Sequence, residues 1–140
     1  MTGPVPVPVD VAGLVVRRLR GLLAGQSLAV AERVQVSTET GAGPDGGPPS
    51  LPWLLVAEDG HTWTWPAVQR AVIRLTVWHH SPHTSKALAG LALGLLCAPA
   101  PPGLIIRAEP ITAPLAGIDP HTAAPLATCA AAVFARTPTI

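Results

Sequence analysis

Tyrosine is absent from this 140-residue chain; phenylalanine and methionine occur once each, and the only lysine is Lys86. Charged residues make up 12% of the sequence against 49% hydrophobic, about half the usual charged share of roughly 25%. That composition excludes a charge-rich disordered chain, and it leads us to expect that partner subunits cover some of the apolar surface. Nine Lys+Arg against eight Asp+Glu give a formal net charge of +1, so there is no basic field for gripping nucleic acid. All the cations but Lys86 are arginines, whose planar fork suits interfaces. Two cysteines are too few for a disulfide framework. Cys97 and Cys129 sit in apolar contexts (LGLLCAPA and LATCAAAV) and read as buried free thiols of a reducing cytosol. The longest apolar run, Ala87 to Ala98, falls short of the ~20 residues that span a bilayer. MTGPVPVPVD has no basic n-region and no continuous apolar h-region, so the expectation is a soluble protein without a secretion leader.

The length fits one domain. Residues 1–9 alternate Pro and Val and predict an extended arm without internal hydrogen bonds. The remainder, residues 10–140, reads as a single domain. Asp10 is a good N-cap for an amphipathic helix to about Ala24, with Gly25 as its stop. Alternation predicts a strand from Val30 to Glu39, followed by the Gly/Pro-rich segment Thr40 to Ser50, a mobile loop. A strand Leu51–Glu58, a turn at Asp59-Gly60 and a return strand His61–Trp65 come next. Pro66 then interrupts the edge before a long strand, Val68 to His79. Its core face should be Gln69, Ala71, Ile73, Leu75 and Val77; its other face carries Arg70, Arg74 and Trp78. Ser81-Pro82 opens a second helix so apolar that we expect it to be buried on more than one side. A short strand Leu104–Glu109, a Pro-punctuated segment and a final strand or strand pair around 122–136 complete an α+β domain. The expected architecture is a mainly antiparallel sheet with two helices packed on one face.

Catalytic and metal chemistry finds little support. His79, His80 and His83 have ligand-like spacing, but His79 and His80 point to opposite faces of an extended strand, and no Cys or carboxylate lies nearby in sequence to complete a tetrahedral set. No serine has a nucleophile-elbow context, the glycines at 41, 43 and 46 lack the flanking strand and helix of a phosphate loop, and the carboxylates form no acid–base pair. Neither a metal nor a cofactor is expected, nor is an enzyme. Trp53, Trp63, Trp65 and Trp78 supply four of the five aromatics and fit core or subunit packing better than base stacking.

The segments VDVAGLVVRRLRGLLA, ERVQVSTETG, PWLLVAEDG and AVQRAVIRLTVWHHSPHTSKALAGLALGLLCA together resemble the tail terminator (tail completion, head-tail joining) proteins of long-tailed bacteriophages and gene transfer agents. The resemblance runs from about Val9 to Arg136. It implies a ring, usually hexameric, that caps the tail tube and joins it to the capsid-side connector. The implied partners are further copies of the chain, the major tail tube protein and a head-completion or connector protein. DNA would pass the channel without specific binding, and the location would be the tail or neck of a virion assembled in the host cytoplasm. The candidate ring-interface residues are Arg70, Arg74 and Trp78 on the long strand, Glu58, Asp59, Gly60 and His61 at the expected turn, and Pro44 and Asp45 in the loop. Two alternatives stay open: another neck or connector protein of such a particle, and a small dimeric ligand-binding or enzyme domain using His79, His80 and His83.

Overall fold

A computed structural model describes residues 3–140. Helix α1 (Val11–Ala24) is capped by the Asp10 carboxylate, which accepts the Gly13 N–H at 3.2 Å, and it ends at Gly25 as its sequence predicts. It is followed by strands β1 (Gln35–Ser37), β2 (Trp53–Thr64) and β3 (Val68–Trp78), helix α2 (Pro82–Cys97), and strands β4 (Ile105–Ile118) and β5 (Pro125–Arg136). One five-stranded sheet has the order β1-β2-β3-β5-β4; β1 lies parallel to β2 and every other pair is antiparallel. Both helices cover the same face. Leu19 and Leu23 of α1 and Leu88 and Leu96 of α2 meet Ile73, Leu75 and Val77 of β3 and Val133 of β5 in one core. This is the expected α+β architecture.

Four sequence readings need correction. The expected strand Val30–Glu39 shrinks to three residues, because Ala29–Ala31 forms a 3-10 turn and Arg33 sits at φ 59°, a left-handed conformation that ends an extended run. Asp59-Gly60 is no turn: β2 runs straight through it, absorbing the extra residue as a bulge between Glu58 and Gly60, and both halves pair with β3. Three strands rather than four therefore precede α2. Strand β4 extends to Ile118 through Pro110 and Pro114, which an edge strand with register shifts at 110/112 and 112/115 accommodates. Finally, α2 is buried along a single stripe (Ser85, Leu88, Ala89, Ala92, Leu93, Leu96), while Ala87 and Gly94 face outward. The Ser81 cap holds as read: Ser81 Oγ accepts the Thr84 N–H and Thr84 Oγ1 accepts the Ser81 N–H, both at 3.1 Å.

The N-terminal arm is extended, but it is tied down. The Val5 and Val7 N–H groups donate to the carbonyls of Ile140 and Pro138, both at 3.0 Å, so the arm forms a short ribbon with the residues after β5. Gln69, fully buried at the start of β3, anchors this ribbon. Its Nε2 donates to Val9 O at 3.0 Å, its Oε1 accepts Val9 N–H at 2.9 Å, and Thr137 Oγ1 donates to the same oxygen at 3.2 Å. The second Nε2 proton faces His61 Nε2 at 2.9 Å, and His61 Nδ1 lies 3.1 Å from Glu58 Oε1. Every donor and acceptor of the amide is thus used. Flipping it would set NH2 against the Val9 N–H, so its orientation is fixed. That orientation makes His61 Nε2 the acceptor and Nδ1–H the donor to Glu58. Gln69→Ala should lower stability by about 2–3 kcal/mol. It should also abolish hydrogen-exchange protection at Val5, Val7 and Ile140 while leaving β3 protected, a pattern that native-state exchange resolves amide by amide.

Candidate functional site

The sheet face turned away from the helices holds the long-strand candidates Arg70, Arg74 and Trp78. Strand register defines its rows. At one end Trp53, Trp78 and Leu126 lie side by side. At the other end Arg70, Phe134 and Arg107 do, with Arg136 two residues farther along β5. Between them lie Leu55, Ala57, Val72, Ala130 and Ala132, with Arg74 standing between Ala57 and Ala130 and Thr76 between Leu55 and Thr128. Trp78 and Ala132 are buried yet stand outside the helix-covered core. The middle of this face is therefore a mixture of small apolar residues and polar ones, with the exposed Arg74 at its centre, and no helix covers it.

The Trp end is closed by two loops. Trp78 Nε1–H donates to Asp119 Oδ2 at 2.8 Å, and Asp119 Oδ1 accepts the N–H groups of His121 and Thr122 at 2.8 and 3.3 Å. Those backbone donors, together with the indole, hold the Asp119 carboxyl below its ordinary range although burial opposes them. The loop 40–50 contains one 3-10 turn, Pro44–Gly46, so it is more ordered than its composition suggests. The Gly41 and Gly43 N–H groups both donate to Gly47 O, at 3.2 and 2.9 Å. Gly43 has no room for a side chain against the Pro48 carbonyl, and a side chain at Gly47 would press on Thr122, so this loop lies against the β4–β5 turn. Trp53 Nε1–H donates to Glu39 O at 3.0 Å, which fixes the loop's entry. Glu39, Pro44 and Asp45 are exposed on its outer surface.

The opposite end is basic. Phe134 stands between two guanidinium groups, Arg107 at 4.0 Å and Arg70 at 5.8 Å from the ring centroid. Arg107 Nε also donates to Glu109 Oε1 at 3.0 Å. Arg74 pairs with Asp59 of the same chain at 3.4 Å, both half exposed, which is a weak link. Arg70 and Arg136 have no carboxylate partner among the described residues.

The candidate residues therefore separate. Arg70 and Arg74 share the exposed face, as their spacing predicts. Trp78 does not join them at the surface, being buried under Asp119. Glu58 and His61 do not project as a turn; they pair with Ile73 and Ala71 and stand on the helix side, near Gln69. Asp59 and Gly60 lie at the bulge. Phe134, Arg107 and Arg136 escaped the sequence reading, because only the β3–β5–β4 register brings them beside Arg70.

The histidine cluster is held in other bonds. His79 is buried, its Nε2 meets the Val30 carbonyl at 3.0 Å and its Nδ1 accepts the His80 N–H at 2.8 Å, so both ring nitrogens are engaged. His83 is exposed in the first turn of α2. Burial raises both thiols, with Glu109 adding to the effect at Cys97, and Cys129 is pushed up to about 11. Both cysteines are therefore protonated at neutral pH. An apolar groove of about 380 Å³ lies between α1 and the residues after α2, and Arg18 is its only charged lining residue. Among the described residues no helix is long and apolar enough to cross a membrane. No protein-family model matches this chain, and no curated protein matches it.

Asp119→Ala should lower stability by about 2–3 kcal/mol, since it strands the Trp78 indole N–H and two turn amides. The folded carboxyl titrates below the unfolded value of about 3.9, so its contribution is complete above that pH and fades as pH falls through the depressed folded value. Urea titrations of wild type and variant should therefore differ most above about pH 5 and draw together only as pH falls below about 4, through the depressed folded value.

Proposed function

We propose that this protein is a structural subunit of a long-tailed phage particle or gene transfer agent. In this reading it assembles as a homo-oligomeric ring of six that caps the tail tube and joins it to the capsid-side connector. The observation that carries the reading is the sheet face that no helix covers, where half-buried Leu55, Ala57, Val72 and Ala130 surround the Arg74–Asp59 pair, on a chain with only 12% charged residues. A lone subunit would leave that face wet, whereas neighbouring copies or rings would bury it. The segment resemblance supplies the kind of particle. A near-neutral subunit also suits a channel through which DNA slides without being held. The engagement of both His79 nitrogens counts against the rival ligand-binding or enzyme domain.

The ring partners are then the major tail tube protein on one side and a head-completion protein on the other. The loop 40–50 offers an exposed outer surface for contacts within the assembled particle. Shortening it by residues 42–46 should leave the circular-dichroism spectrum unchanged and reduce the yield of joined particles at least tenfold in a complementation assay. Electron micrographs of intact particles, with the protein labelled, should show several copies at the neck. Labels spread through the capsid, or none on the particle, would overturn this reading.

A further inference from the structure

The unpaired charges on and around the uncovered face are sorted by position, whereas Arg74 with Asp59 and Arg107 with Glu109 pair within the chain. Arg70 and Arg136 lie at the hairpin end without a carboxylate partner among the described residues, beside Phe134. Glu39 and Asp45 lie on the loop over the Trp end, likewise exposed and unpaired among the described residues. No lysine or arginine occurs between Arg33 and Arg70, so nothing in that stretch neutralises the loop. The row holding Phe134 lies eight residues along β5 from the row holding Leu126, a span of about 26 Å at ~3.3 Å per residue. That exceeds the ~8 Å screening length of physiological salt about threefold. Within one chain the two ends cannot satisfy each other.

We propose that the occupant of this face is a second copy of the chain. The loop bearing Glu39 and Asp45 of one copy seats on the Arg70–Arg136 end of the next. The contact is head-to-tail, which rests on the ring reading above and gives it an interface. Charge complementarity selects the partner: each end carries what the other lacks. Arg70 is exposed, with its guanidinium 5.8 Å from the centroid of the Phe134 ring. Ion pairs that lose water on forming such a contact are worth more than exposed ones.

Charge reversal tests the pairing in solution. One variant carries Arg70→Glu and Arg136→Glu, another Glu39→Arg and Asp45→Arg, and their melting curves report folding. Sedimentation velocity on wild type up to about millimolar concentration should reveal oligomers larger than dimers, weakened at least tenfold between ~50 and ~500 mM salt. Each variant alone should associate at least tenfold more weakly, and an equimolar mixture of the two should recover association. Oligomers that neither reversal weakens, or a wild type that stays monomeric throughout, would overturn the pairing. So would variants that both fold but fail to recover when mixed. A wild type that binds a 30-base-pair duplex through Arg70 and Arg136 without self-associating would assign the face to nucleic acid and overturn the proposal as well. Absence of the protein from purified particles bears only on the ring reading, since the pairing is measured with purified protein.

Discussion

Two helices serve a five-stranded sheet, and both pack on the same side of it. That constraint shapes the rest of the molecule. Strand β3 must alternate strictly, with Gln69, Ala71, Ile73, Leu75 and Val77 inward, and every residue between them is committed to a face with no helix to cover it. Two local devices manage the exposed face. Loops 40–50 and 119–124 fold over the Trp53–Trp78 end, and arginine side chains lie along the Phe134 end. The middle is left to whatever binds there.

Two buried polar side chains keep the margins of this sheet in place, one at each end. Gln69 uses its whole amide to hold the N-terminal arm, the residue after β5 and His61 together. Asp119 closes the β4–β5 turn and reaches β3 through the Trp78 indole. Both belong to residue types costly to bury without partners, and both are fully partnered. They link segments far apart in sequence, so they connect the strand ends to the core more than they enlarge it.

Much of the fold could be read from local signals. Asp10 and Ser81 marked their helices because an N-cap acts on amides only two or three residues away. The two faces of β3 followed from a period of two. What failed were signals whose outcome depends on pairing. Asp59-Gly60 is a turn dipeptide only if its flanks pair with each other; here both flanks pair with β3, and the ladder turns the extra residue into a bulge. Pro110 and Pro114 argue against a strand unless that strand is an edge, and edge position is a property of the assembled sheet. The same limit governs the candidate site. Arg70 and Arg74 were visible as neighbours on one strand, whereas Arg107, Arg136 and Phe134 became neighbours only through register. Trp78 looked equivalent to those arginines by periodicity and is buried because a turn 41 residues later supplies Asp119.

The four indoles also make the molecule its own optical gauge. With no tyrosine in the chain, ultraviolet-excited emission comes from tryptophan alone. The indoles occupy graded surroundings: Trp78 is sealed and hydrogen-bonded, Trp53 is half covered by the loop, and Trp65 at the hairpin tip is 69% exposed. Their spectra should differ in wavelength and in accessibility to a soluble quencher. Events at the loop, at the hairpin tip and in the sheet interior can therefore be followed separately in single-tryptophan versions of the chain, with no added dye.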